Sequence, residues 1–239
     1  MKEDAIPMLT APTLDKLQQL KLDAMAHAWT EQQQHAELTS LGFDERFGLL
    51  VDAEWLARDN KRVTRALKEA KLKFPHACLE AIDYPARREL DKAVIRQLAT
   101  CRWVQEHHNV ILVGATGTGK SFVACALAAH ACRKGFRAYY RRAPRLFHDL
   151  TLARADGTYI RLLGKLARVD VLLIDDWGLA PVTDQERRDL LEILRTATAT
   201  APPSSPARSR RRSGMTTSPT PPWPTPSAIA SCTTPTGSC

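Results

Sequence analysis

The stretch "NVILVGATGTGKSFVACALAA", residues 109–129, decides the fold. Val110, Ile111, Leu112 and Val113 read as a short buried strand, and an alanine-rich helix begins at Lys120. Between them lies Gly114-Ala115-Thr116-Gly117-Thr118-Gly119-Lys120-Ser121, which fills G-x-x-x-x-G-K-[ST] at every fixed position. Each residue type has a chemical reason. Glycines let the chain turn tightly enough for successive N–H groups to point at phosphate oxygens. The helix that follows adds its positive N-terminal end. Lys120 reaches β- and γ-phosphates, and the Ser121 hydroxyl can bind Mg²⁺. The strand before and the helix after supply the required context, so Gly114 to Ser121 are expected to hold the phosphates of ATP.

Phosphoryl transfer also needs a metal anchor and a group that orients water. The stretch "VDVLLIDDWG", residues 169–178, offers both, because Val171 to Ile174 form a second buried strand that ends in Asp175-Asp176. Asp175 is the expected Mg²⁺ ligand together with Ser121. Asp176 is the expected catalytic carboxylate that orients or deprotonates water, with Lys120 as its cationic counterpart on the phosphates.

Working outward, strand and helix patterns alternate. "FRAYY" (136–140) reads as a strand, 144–153 and 158–168 as helices, and 184–194 as another helix. This alternation implies an α/β fold with a parallel sheet flanked by helices. Upstream, 13–37 and 43–72 have helical periodicity, with Phe43, Phe47, Leu50, Val51 and Trp55 on one side and a break expected near Asp59-Asn60. The resulting division is a helical N-terminal region at 1–75, a P-loop domain at 76–194 and a tail at 195–239.

Charge separates the tail from the body. Arg195, Arg208, Arg210, Arg211 and Arg212, with no acid after residue 194, give the tail +5 of the formal net charge of +8. The body is only mildly basic. Its clearest basic feature is Arg58, Lys61, Arg62, Arg65 and Lys68, spaced three or four apart on one helix face. Such a face can neutralise phosphates of duplex DNA without reading bases. Arg141 and Arg142, directly after the expected strand at 136–140, are further candidates. None of the six cysteines makes a C-x-x-C pair, and Cys125 and Cys132 are expected to pack as small hydrophobes. No apolar run approaches the roughly 18 residues of a membrane span, and no signal peptide opens the chain, so a cytoplasmic protein without a membrane partner is expected.

Residues 1–194 resemble the IstB-like helper ATPases of bacterial insertion sequences, relatives of the DnaC helicase loader within the AAA+ class. The resemblance is carried by "NVILVGATGTGKS", by "RADGTYIRLLGKLARVDVLLIDDWGLAPVTDQERRDLLEIL" (154–194) and by "LKLDAMAHAW" (20–29). It implies an ATPase that assembles as an ATP-dependent homo-oligomer on duplex DNA. Such a protein delivers that DNA to a transposase encoded by the same element.

After Leu194 the resemblance implies an acidic-Arg-Tyr segment, a strand with a Thr-Ser-Gln polar sensor and further helices. The sequence has none of these. Of the 39 residues from 201 to 239, 24 are Pro, Ser or Thr, a composition expected to stay disordered. Back-translation with permissible codons, displaced by two nucleotides, turns "RTATATAPPSSPA" (195–207) into Asp-Arg-Tyr-Gly-His-Arg-Ala-Thr-Leu-Ile-Thr-Ser. The same offset turns "GMTTSPTPPWPTPSAI" (214–229) into a second family-like stretch. A shifted reading frame accounts for both, and it predicts a sheet short of a strand and impaired hydrolysis. Competing readings are a DnaC-like helicase loader, a non-catalytic DNA-binding fragment and, more distantly, a small-molecule P-loop kinase.

Overall fold

The computed structural model describes residues 11–84, 90–178, 181–199 and 227–233. They form two compact units that divide between Thr64 and Arg65.

In the first unit, α1 (Ala11–Gln19), α2 (Asp23–Gln34) and α3 (Ala36–Thr39) accompany the start of α4 (Phe43–Ala70). The buried Glu54 carboxylate of α4 accepts the backbone N–H groups of Ala24 and Met25, at 3.1 and 3.2 Å. These lie in the first turn of α2, where N–H groups lack intrahelical acceptors and negative charge is favoured. Arg58 donates to the same carboxylate at 2.7 Å. Phe43, Phe47, Val51 and Trp55 stay exposed on α4. The expected break at Asp59-Asn60 does not occur. Both residues are only mildly unfavourable in a helix, and Asp59 gains bonds of 2.7 and 3.0 Å from Arg62 one turn on.

The second unit is built on a parallel sheet of β1 (Val110–Gly114), β2 (Ala138–Arg142), β3 (Val171–Trp177) and β4 (Ser227–Thr233), in the order β1-β4-β3-β2. Side chains alternate across it with the strand period of two. Ala138, Tyr140, Val171 and Leu173 join one core with α7 (Lys120–Arg133) and α5 (Lys92–Ala99). Tyr139, Leu172 and Ile174 join a second core with α8 (Ala143–Ala155), α9 (Tyr159–Leu166) and α10 (Asp184–Ala199). The result is a three-layer α/β/α arrangement. Helix α7 buries Val123 to Ala129, Ala131 and Cys132, as a helix that is apolar all round must. Cys125 and Cys132 are fully buried, as small hydrophobes would be, and burial pushes the Cys125 thiol up. Each fully buried leucine, such as Leu127, Leu150 or Leu173, contributes about 2 kcal/mol.

The outer helical layer is tied together at Asp189, which is 1% exposed. Its carboxylate accepts from Arg154 of α8, from the Tyr159 hydroxyl of α9 at 3.2 Å, and from Gln185 at 3.1 Å. Upstream of β1, residues 90–109 hold α5, capped by Asp91 accepting from the Ala93 N–H at 2.7 Å, and the short α6 (Arg102–Gln105), neither of them expected from the sequence.

Two expectations about the tail are corrected. Helix α10 continues past Leu194 to Ala199, and Ser227–Thr233 forms β4 in the interior of the sheet. β4 pairs with β1 from Val110↔Ile229 to Gly114↔Thr233, and with β3 from Val171↔Ser227 onward. The physical reason is backbone demand. Without β4, the facing edges of β1 and β3 would each carry a row of unpaired N–H and C=O groups. The sheet is therefore not short of an inner strand. The expectation of disorder for 200–226 and 234–239 lies outside the described residues. No helix among the described residues is long and apolar enough to cross a membrane.

Candidate nucleotide site

The site lies at the C-terminal end of the sheet, where β1 leads into α7. Gly117 and Gly119 have φ of 83° and 89°, the left-handed region that glycine enters without penalty. A Cβ at either position would meet nothing within 4 Å, so the backbone angle demands glycine there and crowding does not. Lys120 folds back on the loop, donating from Nζ to the carbonyls of Gly114 and Ala115 at 2.8 and 2.7 Å. Thr118 Oγ1 donates to the Ala115 carbonyl at 2.8 Å, closing the turn through Thr116. α7 begins at Lys120, so its first N–H groups lack intrahelical acceptors.

Alternation along β3 explains how Asp175 reaches this loop. It follows Val171 and Leu173 on the α7 side of the sheet and is 2% exposed. Ser121 Oγ donates to Asp175 Oδ1 at 2.8 Å, and the Tyr140 hydroxyl donates to Oδ2 at 3.0 Å. Lys73 Nζ is 3.5 Å from Oδ2. Burial, reinforced by the Asp175 charge, pushes the Tyr140 phenol far above its ordinary range, so it remains a donor.

Asp176 is the next residue but points elsewhere. β3 carries one extra residue relative to β4 between Ile174↔Ala230 and Trp177↔Cys232, and Asp176 has a left-handed φ of 57°. A bulge of this kind re-aims side chains and is common beside functional sites. Asp176 Oδ2 accepts a short bond from Arg142 Nε, at the end of β2. β2 thus supplies a partner to each acid.

The structure brings together the whole expected set of Gly114 to Ser121 with Asp175, and sets Asp176 beside it under Arg142. The basic residues are distributed differently. Arg58, Lys61 and Arg62 lie in the first unit, whereas Arg65 and Lys68 lie in the second, all on α4. Three of the five are paired within the helix, Arg58 to Glu54, Arg62 to Asp59 and Arg65 to Glu69. Arg141 pairs with Asp149 at 3.4 Å and lies 5.0 Å from the Tyr139 ring centre, and Arg142 is committed to Asp176. Sequence reasoning missed Tyr140 and Lys73. Tyr140 could have been found from the parallel strands, because its side follows Ala138 toward α7 as that of Asp175 follows Leu173. Lys73 gave no signal.

Residues 15–201 match the family described as IstB-like ATP binding protein. The insertion sequence IS1162 ATP-binding protein of Pseudomonas fluorescens is 46% identical over 231 residues, covering 97% of this chain and 100% of its own length. That alignment therefore extends well into the Pro/Ser/Thr-rich tail. The insertion sequence ATP-binding protein y4pL of Sinorhizobium fredii is 44% identical over 187 residues, covering 78% of this chain and 76% of its own. Among solved structures, the DnaC helicase loader aligns with a TM-score of 0.50 at 19% identity, over 67% of this chain and 80% of that one. AMPPCP-bound DnaA from Aquifex aeolicus aligns with a TM-score of 0.50 at 18% identity, over 66% of this chain and 42% of that one. The chain thus spans less than half of the DnaA chain. At these identities the likeness is one of fold, that of the P-loop AAA+ class.

Proposed function

This chain belongs to the IstB-like ATP-binding protein family, and on that premise we propose that it is a cytoplasmic transposition helper that binds ATP with Mg²⁺ and loads duplex DNA for a transposase. The carrying observation is the 2.8 Å contact between Ser121 at the head of α7 and buried Asp175 at the end of β3. A hydroxyl and a carboxylate form an all-oxygen pair, and Mg²⁺ is commonly held by one or two such protein ligands, its remaining positions going to phosphates and water. The donor set therefore fits Mg²⁺. When bound, the ion would neutralise charge on the phosphates. Lys120, released from the Gly114 and Ala115 carbonyls, would follow the β- and γ-phosphates.

Asp176 is the residue to orient water, but its carboxylate is engaged by Arg142. The Thr-Ser-Gln sensor expected of the family is absent from the sequence. Both features support slow hydrolysis by the isolated chain. The relatives' association with insertion sequences supports the transposition role; an ATP-dependent homo-oligomer is the assembly proposed with it. The α4 residues Arg58, Lys61, Arg62, Arg65 and Lys68 are the proposed phosphate contacts on DNA. Intrahelical pairs are worth only about 0.3–0.5 kcal/mol, so DNA phosphates can displace them.

Titration with a fluorescent ADP analogue tests the nucleotide assignment. A charge-assisted contact is worth about 1.5–3 kcal/mol, so Lys120→Ala should weaken binding about 10- to 100-fold. Unchanged affinity in that variant would sink the assignment.

A further inference from the structure

Lys73 lies outside every motif, in the segment that follows α4, yet it is held beside the metal-binding end of β3. Its neighbours fix it there. Ala70 and Leu72 are buried in the α7 core, and the Phe74 ring lies 5.9 Å from that of Phe122, the residue after Ser121. Lys73 Nζ is 3.5 Å from Asp175 Oδ2 and 5.6 Å from the Phe74 ring centre, with its side chain 41% exposed. A half-exposed cation therefore touches a carboxylate that is itself buried.

A buried carboxylate needs compensation for its lost hydration. Ser121 and Tyr140 supply neutral hydrogen bonds to it, and Lys73 supplies opposite charge. A divalent cation at Asp175 would supply that charge instead, and two cations on one carboxylate repel. We propose that Lys73 is a positioning residue that acts as the counter-charge of Asp175 before metal arrives and competes with the metal for it. The inference rests on the Mg²⁺ reading above. It makes entry of the metal–nucleotide complex an exchange, in which Lys73 swings outward toward solvent as Asp175 is taken over.

The test uses the full chain, Lys73→Met and Lys73→Arg. Mn²⁺ affinity in saturating ADP is measured by electron paramagnetic resonance, and melting is measured in EDTA without nucleotide. A half-exposed pair is worth about 1 kcal/mol, so Lys73→Met should bind Mn²⁺ about fivefold more tightly. The same variant should melt lower in EDTA, a deficit absent when Asp175→Asn is already present. Lys73→Arg should restore wild-type behaviour in both. A residue with only a packing role would not tighten metal binding. Equal or weaker Mn²⁺ affinity in Lys73→Met overturns the proposal. If the wild type binds no Mn²⁺ with ADP, the nucleotide reading fails, and the EDTA melts alone decide the Lys73 contact: an unchanged deficit over Asp175→Asn refutes it.

Discussion

Tyr140→Phe isolates one hydrogen bond at the centre of the site. The ring is buried on the α7 side of the sheet, and its hydroxyl donates to Asp175 Oδ2 at 3.0 Å. The substitution keeps the shape of the ring and deletes only the donor, so no cavity term enters. A hydrogen bond to a charged group contributes about 1.5–3 kcal/mol, and Asp175 at 2% exposure has little water to replace it. At about 2–4 °C per kcal/mol for a chain of this size, melting should fall by roughly 3–12 °C in the absence of nucleotide and metal. Thermal denaturation followed by circular dichroism reads this directly. Asp175→Asn completes a double-mutant cycle, which should show a coupling energy of about 1–3 kcal/mol. Additive effects, within about 0.5 kcal/mol, would refute the assignment of the Tyr140 donor to Asp175.

Other regions give further expectations. If about three of the α4 basic residues touch phosphates, log K for duplex DNA should fall with log salt at a slope near −3, and Arg62→Glu with Arg65→Glu should flatten it. A salt-insensitive complex would rule the face out. Burial works to raise the Glu54 carboxyl, but hydrogen bonds from Arg58 and the α2 N–H groups prevail and hold it below the ordinary glutamate range. Its folded value being depressed, its stabilisation is present above about pH 4.3 and is lost as pH falls through the lowered value. The melting advantage of wild type over Glu54→Gln should therefore hold at pH 7 and shrink in acid, and a constant gap would contradict the assignment. Truncation after Ala199 removes β4 and should lower the melting temperature and promote self-association through the opened edges of β1 and β3, measured by light scattering. A monomer of unchanged stability would show that β4 does not hold the sheet.

The strands and helices of the second unit were legible because their signals are local. Val171–Ile174 and the run from Val123 to Cys132 are apolar over enough residues to be buried, whereas Val110–Val113, expected to be buried, forms the edge strand β1 with Ile111 and Val113 exposed. Gly114 to Ser121 was legible because its spacing is itself the chemistry. What escaped is set by partners remote in sequence. Lys73 meets Asp175 across 102 positions, and nothing near Lys73 distinguishes it from Lys71 or Lys68. β4 escaped because Ser227–Thr233 has weak strand character of its own. It is specified by the hydrogen-bonding demand of β1 and β3, which composition does not express.

The two acids at the end of β3 show how much one residue of register can do. In a regular strand, Asp175 and Asp176 would point to opposite faces of the sheet, the first to α7 and the second into the core with α8 to α10. A carboxylate at that second position would meet Phe147, Leu150 and Ile193, where burial without a partner is costly. The bulge between Ile174 and Trp177 removes this conflict. Asp176 takes a left-handed φ, turns toward the end of β2 and pairs with Arg142, while Trp177 recovers the apolar face, its ring 6.0 Å from Phe147. Aspartate tolerates that backbone better than most residues with a Cβ. The same irregularity therefore protects the core and leaves two adjacent, chemically identical side chains with different work. Asp175 is sealed against Ser121, the place of the proposed metal anchor, and Asp176 is half-buried at the rim, held by Arg142, which under the proposed function it would have to leave to orient water.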